Sequence, residues 1–87
     1  MARVFIPALL TPLTGGESEI EAEGSNVGQV IAALDALYPG FGEVLLDQGR
    51  LRPNIAVAID DEIATLGVLE SVSPSSEIHF VTAIRGG

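Results

Sequence analysis

The sequence contains no cysteine, and that absence removes disulfides, thiolate nucleophiles, iron–sulfur clusters and cysteine-ligated zinc together. Lysine is missing as well: all 4 basic side chains are arginines, which leaves the N-terminus as the only amine. Histidine occurs once and tryptophan not at all. A solitary histidine with no thiol makes neither a metal site nor a catalytic pair, so His79 is not expected to act as catalyst or ligand. No apolar run approaches the roughly 20 residues of a membrane helix. The first residues lack the basic start and long apolar stretch of a secretory signal. No membrane partner is expected, and the expected location is cytoplasmic.

What is present points to one compact domain. The chain has 87 residues, 47% of them hydrophobic, enough apolar material to offset the entropy of ordering a single small core. Its 12 acidic residues against 4 arginines give a formal net charge of -8. Such a surface repels phosphate backbones and argues against a nucleic-acid partner. It favours a basic protein partner or serves solubility alone; both readings stand at this level.

Residues 3–9, Arg-Val-Phe-Ile-Pro-Ala-Leu, read as a strand, with Pro7 confined to a position without a ladder donor or to a bulge. Gly15-Gly16 then reads as a hairpin turn, because no Gly-x-x-x-x-Gly-Lys pattern surrounds it to make a phosphate cradle. Ser18–Glu23 alternates, with Ile20 and Ala22 on one face and acids on the other, as in a strand with one solvated side. Ser25 and Asn26 offer helix caps, and Gln29 is placed to reach back as in a capping box. Val27, Val30, Ile31, Leu34, Leu37 and Tyr38 follow at helical spacing, forming a stripe that must cover a sheet. Pro39-Gly40 ends that helix, and Phe41–Leu46 reads as a short helical turn.

Asn54–Ile59 reads as a third strand, closed by the acidic turn Asp60-Asp61-Glu62. Those three acids lack the spaced ligands of a calcium loop, so no metal is expected there. Leu66–Leu69 reads as a short irregular piece and Ser73–Ser76 as a turn. The last strand, Glu77–Ala83, puts Ile78, Phe80 and Thr82 on one face and His79, Val81 and Ala83 on the other. Strand, strand, helix, strand, strand fits a small α+β roll: a mixed sheet of about four to five strands with one main helix packed across it. Its first and last strands are expected to pair in parallel at the centre. The expected division is a domain over 1–83 and a slender C-terminal tail over 84–87.

The final residues carry a resemblance. Ser76-Glu77-Ile78-His79-Phe80-Val81, followed by Ile84-Arg85-Gly86-Gly87, resembles the terminal strand and tail of ubiquitin, Ser-x-Leu-His-Leu-Val and Leu-Arg-Gly-Gly. Ala83 stands where ubiquitin has its second tail arginine. Over nearly the whole chain the similarity is to the MoaD/ThiS family of ubiquitin-like sulfur carriers. It includes the opening strand, Leu37-Tyr38-Pro39-Gly40, and Gly49-Arg50-Leu51-Arg52 before Asn54-Ile55-Ala56-Val57. Ile6-Pro7, Leu10, Pro12 and Thr14-Gly15-Gly16 look most like the branch that supplies sulfur for cysteine synthesis.

The resemblance implies a β-grasp fold and a carrier rather than an enzyme. The C-terminus of Gly87 would be adenylated by an E1-like enzyme that uses ATP, with no cofactor held by the carrier. A thiocarboxylate formed there would deliver sulfur to a biosynthetic enzyme making cysteine, molybdopterin or thiamine. Gly86 and Gly87, lacking Cβ atoms, suit passage through a narrow channel. Ile84–Gly87 can extend roughly 13 to 14 Å, at about 3.3 to 3.6 Å per residue. Arg85 is a candidate for pairing with acids of the activating enzyme, and Ile84, Val81 and His79 are candidates for docking. The competing function is a protein modifier that forms isopeptide bonds through Gly87. A lysine-free chain cannot build lysine-linked polymers of itself, which disfavours a polymeric modifier.

Overall fold

A computed structural model describes residues 1–82. A five-stranded mixed sheet has the order β2-β1-β7-β5-β6, formed by β1 (Ala2–Phe5), β2 (Glu19–Ala22), β5 (Ile55–Ile59), β6 (Glu62–Ile63) and β7 (Glu77–Thr82). Strands β3 (Leu46–Asp47) and β4 (Arg50–Leu51) make a separate small hairpin. Helix α1 (Val27–Leu37) lies over one face of the large sheet, and the short α2 (Phe41–Leu45) follows it.

Strand β7 is the centre of the sheet because both neighbours claim it. On one side it pairs in parallel with β1, Phe5 opposite His79; on the other it pairs antiparallel with β5, Val57 opposite Phe80. The expected parallel pairing of the first and last strands is therefore present. Helix α1 begins where its sequence signals place it. Asn26 Oδ1 accepts a hydrogen bond from the Gln29 amide at 2.8 Å, satisfying a helix-end donor. The Gln29 side chain does reach back, but to the amide and hydroxyl of Ser25 rather than to Asn26.

The core forms where the inner faces of strands and helix meet. Val27, Val30, Ile31 and Leu34 of α1 close over Val4, Val57, Ile78 and Phe80 of the sheet, with Phe41 and Leu45 of α2 sealing one side. At about 1.5 to 3 kcal/mol for each fully buried large aliphatic or aromatic side chain, these residues supply the main force that holds the fold together.

Two readings along the chain change. The opening strand stops at Phe5, and Ala8–Thr14 winds into a 3-10 helix with Leu10 and Thr14 buried. Pro7 has no amide hydrogen to continue the ladder, and burial of Leu10 outweighs the extended preference of its neighbours. Gly15-Gly16 consequently closes that 3-10 helix, with φ of 65° and 90°, instead of forming a tight hairpin turn. Second, the strands β3, β4 and β6 are two residues long each, too short to show an alternation. They exist because antiparallel neighbours supply partners.

Candidate functional site

The face of the sheet turned away from α1 is built by period-two alternation. While Ala2, Val4, Ile78 and Phe80 go inward, Arg3 and Phe5 of β1 and Glu77, His79 and Val81 of β7 go outward. Strand pairing sets these in rows across the sheet. One row runs Glu19, Phe5, His79, Ala58, Ile63, each residue opposite the next. A second places Val81 opposite Ala56.

The central row is aromatic or aliphatic from Phe5 to Ile63 and carries a charge at one end, Glu19. The Phe5 and His79 rings stack with centroids 4.3 Å apart and planes 5° from parallel, the separation of a stacked aromatic pair. Ile63 is exposed, as is Val81 at 47%. Between these, Ala58 and Ala56 have only methyl groups, so the surface dips beside His79 and Val81. Towards the end where β1 and β7 begin, charge takes over. The Arg3 guanidinium lies 3.1 Å from Glu19 and 3.8 Å from Glu77. These half-exposed pairs contribute little to stability, but they neutralise one of the few cations and frame the apolar surface.

The expected docking residues His79 and Val81 are thus brought together on one strand and one face. The remaining candidates, Ile84, Arg85, Gly86 and Gly87, lie outside the described residues. Four contributors went unassigned in the sequence: Phe5, Ala56, Ala58 and Ile63. Phe5 carried a usable signal, since alternation from Val4 puts it with Arg3 on the outer side. Ile63 carried none, because only its pairing with Ala58 brings it onto this face.

Strand β7 also fixes where the C-terminal segment starts. Both its neighbours run alongside it as far as His79, and β5 holds it through Thr82, opposite Ile55. The described part of the central strand therefore ends at Thr82, paired there with β5. Among the described residues there is no group of histidines and carboxylates suited to a metal ion. His79 is engaged with Phe5 through the ring stack. The outer face offers a surface for protein contact on the strand that ends at Thr82.

Comparison with known proteins agrees with this architecture along the whole chain. The model of the ThiS family matches residues 4–87. The sulfur carrier protein CysO of Mycobacterium tuberculosis is 32% identical, over 97% of this chain and 96% of its own. In the crystal structure of the Amycolatopsis orientalis BexX/CysO complex, one chain superposes with a TM-score of 0.94 at 28% identity, covering 100% of both chains. The small archaeal modifier protein 1 of Methanosarcina acetivorans shares the fold, with a TM-score of 0.84 at 23% identity over 99% of this chain and 95% of its own. With a five-stranded mixed sheet grasping one main helix and a family match through its last residue, this chain is a ubiquitin-like β-grasp protein of the ThiS family.

Proposed function

We propose that this protein carries sulfur as a thiocarboxylate on Gly87. The observation that supports this most is the match to the CysO sulfur carriers over nearly the full length of both chains. The carboxylate of Gly87 attacks the α-phosphorus of ATP inside an E1-like partner, forming an acyl-adenylate and releasing pyrophosphate. A sulfur nucleophile at the oxidation level of sulfide then adds to the acyl carbon and expels AMP. The product, a carbonyl bonded to an anionic sulfur, is a stronger nucleophile than the carboxylate it replaced. It delivers sulfur to an electrophile held by a recipient enzyme, and the CysO resemblance favours a recipient that makes cysteine.

The domain's own part is to dock and present. His79 and Val81, with Phe5 and the dip over Ala56 and Ala58, give the partner an apolar landing surface. Arg85 supplies a cation for an acidic partner, and the two terminal glycines let the carboxylate enter a narrow channel. Acid, base, metal and ATP belong to the partners, so the chain is a cosubstrate. The absence of lysine and cysteine leaves no side-chain amine or thiol on a neighbouring copy to capture the activated acyl group.

The test is to incubate the protein with its adenylating enzyme, ATP and a sulfide donor and to measure the intact mass. An increase equal to one oxygen-to-sulfur exchange, lost when Gly87 is deleted, is expected. An unchanged mass, with a control carrier converted alongside, overturns the proposal. Isopeptide conjugation would appear instead as larger protein adducts on denaturing gels of cells expressing the chain.

A further inference from the structure

We infer that the 3-10 helix over Ala8–Thr14 is a second docking element, which meets the uncharged rim of the channel that takes up the C-terminus. This rests on the carrier reading above and assigns it a contact that the outer face of the sheet does not supply.

Three observations converge on it. The first is position. Strands β1 and β7 run in the same direction, with Phe5 level with His79. Past that level β1 leaves the sheet at Ile6-Pro7 and enters the 3-10 helix, while β7 goes on through Val81 and Thr82. The 3-10 helix therefore occupies the end of the sheet at which β7 closes with Thr82.

The second is exposure on a rigid support. Leu9 is 73% and Leu13 41% exposed, yet the segment that holds them is firmly built. Leu10 and Thr14 are buried beneath it. The Thr11 hydroxyl donates to the Ala8 carbonyl at 2.8 Å, and the Thr14 hydroxyl to that of Glu17 at 2.6 Å. The Leu10 amide bonds the Pro7 carbonyl and the Gly16 amide that of Thr11, each at 2.8 Å. Leucines scattered singly over a surface need no explanation. Two held outward on one hydrogen-bonded support, at the end of the sheet where Thr82 closes β7, form a prepared contact whose ordering entropy is already met.

The third is charge. From Ile6 to Gly16 there is no ionisable side chain, in a chain with a formal charge of -8. Glu17, just past Gly16, and Glu19, opposite Phe5, flank this uncharged stretch, while Arg3, Glu21, Glu77, Asp60 and Asp61 lie towards the opposite end of the sheet. A partner surface complementary to this support is therefore apolar and uncharged, whereas a basic patch of the same partner would be drawn to the acids elsewhere. The contribution of the two leucines should be insensitive to salt, since screening acts only on charge.

The experiment uses the full chain with its adenylating enzyme, read by ATP–pyrophosphate exchange. Leu9→Ser/Leu13→Ser should raise KM for the carrier about tenfold or more with kcat unchanged, the signature of lost uniform binding. Leu9→Ser alone should give part of that rise. Leu69→Ser, at a leucine equally exposed (72%) on another part of the surface, should leave KM unchanged. The ratio of the double variant's KM to that of the wild type should be the same at low and high salt. Matching urea unfolding midpoints identify these as binding effects. Wild-type KM in the double variant, with exchange intact, overturns the inference and leaves the carrier reading standing. No exchange by the wild type overturns both. A wild-type dimer that the double variant dissolves overturns it too, by making a second copy the occupant.

Discussion

The imidazole of His79 lies flat against the ring of Phe5, centroids 4.3 Å apart, at the middle of the outer sheet face. The two residues are adjacent across a parallel strand pair, Phe5 on β1 and His79 on β7. The contact ties the central strand β7 to the strand that turns into the 3-10 helix.

A double-mutant cycle on this pair, Phe5→Ala, His79→Ala and both, is expected to return a coupling of about 0.5 to 1.5 kcal/mol in urea unfolding. Effects that add to within about 0.3 kcal/mol would show that the stack contributes nothing to stability. Each single variant is also expected to raise KM in the adenylation reaction, because the stacked rings are the largest apolar feature of the proposed landing surface.

Gly24 sits where the end of β2 passes the start of α1. A Cβ added there would come within 2.7 Å of the Val30 amide nitrogen, and φ is 153°. Gly24→Ala should therefore force backbone apart and cost about 2 kcal/mol or more, through strain and overpacking together. The check is the shift in urea midpoint at unchanged m-value.

The turn from β5 to β6 is two residues, Asp60-Asp61, both in the left-handed region at φ 50° and 72°. Their roles differ. Asp60 also clamps β7: its amide donates to the Glu77 carbonyl at 2.9 Å and its Oδ1 accepts from the Glu77 amide at 3.0 Å. Asp61 makes no side-chain hydrogen bond among the described residues. Asp61→Gly should raise stability by about 1 kcal/mol by relieving left-handed strain. Asp60→Ala should lower it by about 1 kcal/mol by removing an acceptor. Midpoints moving in the same direction would contradict this division of roles.

Asn26→Ala removes the acceptor for the Gln29 amide and should cost about 1 kcal/mol, the usual worth of an N-cap. Gln29→Ala, which frees the exposed Ser25 amide, should cost less because water can replace the lost partner. Thermal unfolding of the two variants side by side tests the order.

Much of the fold was legible where one local cause acts alone. Helix α1 carried its cap at Asn26, its stop at Pro39-Gly40 and a stripe read from Val27 to Tyr38, of which Val27, Val30, Ile31 and Leu34 are buried while Leu37, in the last turn, is exposed. Strands β5 and β7 showed alternation over enough residues to declare both period and inward face, and so His79 and Val81 were placed correctly on the outside. The stretch from Ala8 to Thr14 was not legible in this way. Its leucines and threonines suit an extended chain or a loop, and the burial of Leu10 and Thr14 that selects a 3-10 helix depends on what lies beneath them.

By itself, then, the sequence determined the chemistry available: no thiol, no lysine, one histidine, and a terminal Gly86-Gly87 within a family pattern. Those properties belong to residue types and need no coordinates. Tertiary structure alone decided which residues share a surface. Ile63 joins His79 through Ala58, Phe5 joins it from the other side, and Leu9 is carried to the end of the sheet from which the C-terminal segment starts. The physical reason is that strand register and parallel direction are set by the burial of the opposite face against α1. The outer face inherits its neighbours from packing on the side that it does not show.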